Sequence, residues 1–296
     1  MTRQLVFVHG RAQEHLDSIG LKKQWIDAWT QGLARSGLAL PIAEDQIRFP
    51  YYGDTLDQMA NGLSAQEAAR IVVRGEQLDR EEEAFMREYL KEVQEQAGLS
   101  DAEVGALVDP AVRERGVLNW GWVQGILGAL DSRVPGASGA SVALFTNDVY
   151  RYLSKPAIRS VMDSGVRSAF TPGVETVVVG HSLGTVVAYN VLKQDGAERE
   201  LKVPLFVTLG SPLAVKVVKK AIRPIAHPKC AARWFNAMDD RDVVALFPLD
   251  ADNFDVQPAI ENKTDVDNPT SNRHGISGYL GDPVVARRIH EALLAP

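Results

Sequence analysis

The chain predicts an α/β fold in which a mostly parallel central sheet is flanked by helices, and three observations carry that prediction. Short apolar runs recur along it, among them Leu5-Val-Phe-Val8, Val177-Val-Val179 and Val203-Pro-Leu-Phe-Val-Thr-Leu209. Segments whose apolar residues fall at helical spacing separate these runs, as in strands joined by crossover helices. The valine run is continuously apolar, which a strand buried on both faces of a parallel sheet requires.

Taken in order, Leu5 to Val8 reads as the first strand, ending in His9-Gly10-Arg11. A helix follows from Leu21 to Leu33 and a second strand over Gln46 to Pro50, leading into Tyr51, Tyr52 and Gly53. Between 54 and 145 the β-type runs stop, and the chain turns helical, acidic and then locally apolar. This segment reads as a helical cap inserted into a core made of 1–53 and 146–296. Within it Ser64-Ala-Gln-Glu67 has capping-box spacing, and Phe85, Met86, Tyr89, Leu90 and Val93 form one apolar stripe suited to packing. The glycine-punctuated run from Val117 to Leu130 carries Trp120 and Trp122. Together with Ile126 and Leu127 these tryptophans read as cap core, or alternatively as the lining for an acyl chain or a lid. Beyond the insertion, helices are expected over 147–153 and 157–169, a strand over 176–180, a helix over 183–193 and a strand over 203–209. A helix over 212–222, a strand over 231–238, a loop-rich region to His274 and a closing helix over 283–294 complete the chain.

Composition narrows the function. The 296 residues suffice for one large domain with an insertion, with no need of disulfides. The single cysteine, Cys230, rules out an internal disulfide and suits a reducing compartment, so a cytoplasmic location is expected. The first residues run directly into a strand without the pattern of a signal peptide, and no stretch is long enough to span a bilayer. A net charge of −6 without a clustered basic face argues against nucleic acid as a partner. Lys216-Val-Val-Lys-Lys220, the densest basic run, reads as a solvated helix face.

The chemistry is signalled by Gly180-His181-Ser182-Leu183-Gly184, set between the valine run and a helix. Such a turn forces its central residue into a strained conformation that lifts the hydroxyl off the sheet, while the glycines leave room for crossing backbones. Ser182 is therefore the candidate nucleophile. A serine hydroxyl needs a histidine to take its proton and a carboxylate to hold that histidine. Of six histidines, His9 and His181 precede Ser182 and belong to neighbouring turns, and His15 lies near a helix start. His227 precedes every plausible acid, and His290 sits mid-helix. His274, in a Gly- and Ser-rich loop ahead of the last helix, is the candidate base. The strand ending at Met238 delivers Asp239, Asp240 or Asp242; Asp242 is favoured because the apolar Val243-Val-Ala-Leu246 would fasten it to the core, with Asp240 as the alternative. Backbone N–H groups of Leu183 and Arg11 are the candidate donors to a developing oxyanion. Arg11 follows the first strand directly after His9 and Gly10.

Val-Phe-Val-His-Gly, Gly-His-Ser-Leu-Gly, the Gly210-Ser-Pro-Leu213 turn, Asp-Val-Val-Ala-Leu and the late His-Gly together resemble the serine α/β-hydrolase superfamily. The likeness is greatest to lipases and esterases, including the inositol-deacylase-like group, and covers about 3–50 and 146–294 but not the insertion. It implies an α/β-hydrolase fold, a Ser182-His274-Asp242 triad acting on a small-molecule or lipid ester or thioester, and no metal or cofactor. Acyl transfer, amide cleavage or a silent binding role on the same fold are the alternatives.

Overall fold

A computed structural model describes residues 3–10, 18–52, 72–74, 78–108 and 120–295. Arg11, His15, Gly53 and the expected capping box at Ser64–Glu67 lie outside the described residues. The elements in chain order are β1 (Gln4–Val8), α1 (Ser18–Ala34), β2 (Ile47–Arg48), α2 (Arg80–Gln96), α3 (Asp101–Ala106), α4 (Trp120–Arg133), α5 (Gly139–Ser154) and α6 (Pro156–Ser168). Then come β3 (Thr176–His181), α7 (Leu183–Asp195), β4 (Phe206–Leu209), α8 (Lys216–Ala221), β5 (Trp234–Ala237), β6 (Glu261–Lys263), α9 (Ile276–Gly281) and α10 (Pro283–Leu294).

The six strands form one all-parallel sheet in the order β2-β1-β3-β4-β5-β6, flanked by helices. The protein is thus of the α/β class, with an arrangement consistent with an α/β-hydrolase-like fold. Alternation along the strands splits the core in two. Leu5, Phe7, Val177, Val179, Val207 and Leu209 face α1, α9 and α10. Val6, Val8, Val178 and Phe206 face the opposite way, toward α7 and the helices stacked beyond it. Both sheet faces are therefore covered, and this is why the runs Leu5–Val8 and Val177–Val179 are apolar at every position.

On the first face α1 buries Leu21, Trp25, Ala28, Trp29 and Leu33 at helical spacing. The Trp29 indole donates to the Ala286 carbonyl at 3.1 Å, tying α1 to α10. Over the second face, the expected stripe of Phe85, Met86, Tyr89, Leu90 and Val93 is buried along α2. Helix α2 packs on α4 and α5, and α5 leads through α6 to α7. A continuous α5 begins at Gly139 rather than at Asn147, capped by the Ser138 hydroxyl, so the expected boundary at 145/146 falls inside a helix.

Other departures have identifiable causes. In the run 203–209 the ladder starts only at Phe206: Val203 makes an isolated bridge to Ala231, and Pro204 has no N–H to offer. Helix α8 starts at Lys216 instead of near 212, where the Glu92 carboxylate on α2 accepts the Lys216 N–H at 3.0 Å and so supplies a cap from a distant element. Strand β6, Glu-Asn-Lys, is a three-residue polar edge strand inside a region read as loop. Among the described residues no helix is long and apolar enough to cross a membrane.

The sheet order reverses between β1 and β3, since β1 leads outward to β2 while β3 begins the run to β6. A crevice at the carboxyl ends of strands forms at such a reversal. At this point α7 presses onto the end of β1: a Cβ on Gly184 would lie 2.2 Å from the Val8 carbonyl oxygen and 2.5 Å from that of His9. Gly184→Ala is expected to cost about 3 kcal/mol by overpacking, read by urea denaturation; an unchanged midpoint would show that α7 can shift freely.

Candidate active site

Ser182 occupies the junction of β3 and α7 with φ 56° and ψ −132°, a left-handed conformation that disfavours any side chain. The surroundings hold it there. The Ser182 N–H donates to the Leu209 carbonyl of β4 at 3.0 Å, and the Ser182 carbonyl accepts the Thr185 N–H at 2.9 Å and hydroxyl at 2.7 Å. The Thr185 hydroxyl also pairs with that of Ser211 at 2.8 Å, linking this turn to Gly210-Ser-Pro-Leu213. Gly180 stands one residue before the end of β3, where a Cβ would lie 2.9 Å from the Thr185 Cα.

Two further loops converge on the Ser182 hydroxyl. His274 Nε2 lies 2.8 Å from Ser182 Oγ, and its Nδ1 lies 2.7 Å from Asp242 Oδ2. With Nδ1–H donating to the carboxylate, a neutral ring leaves Nε2 as acceptor for the serine O–H. Asp242 is fully buried, and its other oxygen, Oδ1, accepts the N–H groups of Val244 at 2.8 Å and Ala245 at 3.4 Å. The apolar residues after it therefore anchor the carboxylate through their backbone as well as their side chains. Asp240 is turned to solvent beside Arg241. Asp239 is buried but engaged elsewhere, accepting from the Arg241 and Asn268 N–H groups.

His274 is framed by rings. Phe145 of α5 meets it edge-on at 6.0 Å and the His181 ring lies 4.8 Å away. Gly210, at φ 55°, stands so close that a Cβ would be 3.0 Å from His274 Cε1. His181 Nε2 donates to the His274 carbonyl at 2.8 Å, fastening the loop of one to the turn of the other. Burial, reinforced by the proximity of His274, depresses the His181 ring to about 3, so it stays neutral.

His9 is stacked between Phe49 and Tyr52, with centroids at 5.2 and 4.1 Å. Its Nδ1 donates to the Gly10 carbonyl at 2.8 Å, and the Tyr52 hydroxyl donates to its backbone carbonyl. Burial pulls His9 down to about 4. Gly10 abuts the turn from the β1 side: a Cβ there would be 2.9 Å from the Ser182 Cβ and 3.2 Å from the Leu183 nitrogen. As the first residue of α7, Leu183 has an N–H without an intrahelical acceptor, and its nitrogen lies beside Gly10.

The structure thus brings together Ser182, His274, Asp242, Leu183, His9, Gly10, Gly180, His181 and Gly184, while Arg11 lies outside the described residues. The candidate pocket residues Trp120, Trp122, Ile126 and Leu127 all lie on α4. Trp122 and Ile126 line a cavity of about 230 Å³ with Ala84, Arg87 and Lys91. Those α2 residues lie on the helix face opposite Tyr89, whose hydroxyl reaches the Val244 carbonyl behind Asp242. The Trp120 indole donates to the Val73 carbonyl, and Leu127 is buried against the backbone of Gly139. His227 is buried against Trp234. Among the described residues no cluster of three His, Cys, Asp or Glu side chains could hold a metal ion.

Sequence reasoning missed Phe145, assigned to the insertion, and Tyr279, whose hydroxyl donates to Asp242 Oδ2 at 2.6 Å. Tyr279 stands on α9, five residues after His274, and no sequence pattern signals its bond to Asp242. Comparison with known proteins adds no relative: no family model, curated protein or solved structure matches the chain.

Two outcomes follow without reference to activity. Ser182→Gly should be more stable than Ser182→Ala by about 1 kcal/mol, because only glycine relaxes at this φ; equal denaturation midpoints would remove the strain. His9, ordinarily near 6.5, titrates near 4 when folded. Its contribution is therefore complete above pH 6.5 and lost as pH falls toward 4, since the unfolded chain binds the extra proton. In His9→Gln the pH dependence of stability across that window should flatten by up to about 1.4 kcal/mol per pH unit; an unaltered slope would contradict a buried neutral His9.

Proposed function

We propose that the protein is a serine hydrolase of the α/β-hydrolase superfamily that cleaves a carboxylic ester or thioester. One observation carries the reading: the unbroken hydrogen-bonded series Ser182 Oγ, His274 Nε2, His274 Nδ1 and Asp242 Oδ2, drawn from three loops at the carboxyl edge of a parallel sheet. Chain order supports it as well, since nucleophile, acid and base follow one another as they do on this fold.

In the proposed reaction Ser182 Oγ attacks the acyl carbon while His274 Nε2 takes the hydroxyl proton, and the imidazolium is held by Asp242. Charge developing on the carbonyl oxygen meets the free N–H of Leu183 at the start of α7. Arg11, next in sequence to Gly10, is the candidate second donor. The proton then passes from His274 to the departing alkoxide or thiolate, leaving acyl-Ser182. Water, deprotonated by the same histidine, attacks the acyl-enzyme; collapse returns the proton to Ser182 and releases the carboxylic acid. Phe145, edge-on to His274, sets an apolar ring against the base.

A fluorophosphonate should label Ser182, and Ser182→Ala should abolish both labelling and ester turnover. Asp242→Asn should lower kcat by about 10⁴-fold, since the ring would lose its tautomer. Turnover of acyl esters by Ser182→Ala at the wild-type rate would refute the reading.

A further inference from the structure

We propose that Tyr279 is a positioning residue for Asp242, sharing one carboxylate oxygen with His274 and thereby setting how strongly that histidine holds a proton. The inference rests on the hydrolase reading for its catalytic meaning, but its geometry is independent of it.

The direction of the bonds is fixed by chemistry. Tyr279 is fully buried on α9, and its oxygen lies 3.2 Å from the Asp239 N–H and 2.6 Å from Asp242 Oδ2. A backbone N–H can only donate, so the single phenolic proton points at Asp242. Asp242 then accepts four bonds: Val244 and Ala245 N–H on Oδ1, His274 and Tyr279 on Oδ2. A donor that shares Oδ2 draws negative charge away from the His274 bond, and it also fixes the plane of the carboxylate.

The surroundings leave Tyr279 little other choice. A Cβ on Gly210 would sit 3.0 Å from its Cε2, and the His181 ring packs 5.9 Å from its own. The charged groups nearby are engaged with one another: Asp239 binds Arg241, with Arg273 at 4.0 Å, and both arginines hold Asp267. From α2, Tyr89 faces the Val244 carbonyl rather than the carboxylate. His181 is turned to the His274 backbone. Tyr279 is thus the side chain other than His274 that bonds the carboxylate of Asp242 among the described residues. Burial, reinforced by the charge of Asp242, raises the Tyr279 phenol well above its ordinary range and keeps it a neutral donor at every working pH.

The test follows the His274 ring signal by NMR as pH is varied, in resting protein and without substrate. Removing the hydroxyl returns charge to the His274 bond, so Tyr279→Phe should move the titration midpoint up by about half to one pH unit. Replacing Tyr279 alone by 3-fluorotyrosine, a stronger donor of the same shape, should move it down, and this variant answers the question even if Tyr279→Phe does not fold. Asp240→Asn serves as the control and should leave the midpoint in place. In ester turnover the acid limb of the pH profile should move with the NMR midpoint, with kcat lowered several-fold in Tyr279→Phe and KM nearly unchanged. A midpoint that stays fixed in the fluorotyrosine protein, or a loss of kcat that follows thermal stability alone, would overturn the role of Tyr279. Absence of turnover and of Ser182 labelling in wild-type protein, with the midpoint shifts present, would instead overturn the hydrolase reading.

Discussion

The close crossing of α7 over the end of β1 is the constraint on which the rest of the site depends. Gly184 lets the first turn of the helix approach the Val8 and His9 carbonyls more closely than any side chain would permit. That approach forces the chain to turn between Gly180 and Gly184, and the turn leaves Ser182 in a left-handed conformation. The cost of that conformation, roughly 1–3 kcal/mol, is met by bonds to β4 and to Thr185. A free N–H at the start of α7 and a serine oxygen set against His274 are two results of one backbone geometry.

A second constraint is the buried charge of Asp242. An ionised carboxylate removed from water must be hydrogen-bonded on all sides, and here backbone, imidazole and phenol share the task. The same bonds bring the loop after β5, the loop before α9 and α9 itself into one unit. His181 completes it by holding the His274 carbonyl from the serine side. Stability and chemistry are therefore coupled at this corner: a change that loosens the carboxylate loosens the loops as well.

What was legible in the sequence was whatever has a local cause. The valine run, the two glycines around Ser182 and the helical spacing of α1, α2 and α7 each act through neighbours in sequence, and they appear where expected. His274 and Asp242 were reached by order along the chain, and the structure puts them within bonding distance of one another. Elements fixed by distant partners were not legible. Strand β6 is polar because it is an edge, α8 begins where Glu92 reaches it from α2, and α9 is a six-residue helix inside a Gly- and Ser-rich stretch. Tyr279 belongs to the same class, since its bond to Asp242 depends on how two loops meet. The tryptophans of α4 were conspicuous by composition; Trp122 borders a cavity on the face of α2 turned away from Tyr89, and Trp120 bonds the Val73 carbonyl.

The central claim, that Ser182 forms a covalent acyl intermediate, is tested most directly by rapid acid quench of protein mixed with an activated acyl ester, followed by peptide mass analysis. The acyl group should appear on the peptide carrying Ser182 within the first turnover and disappear when the mixture is diluted into ester-free buffer. Ester cleavage at the same rate with no acyl group on Ser182 at any quench time would contradict the account.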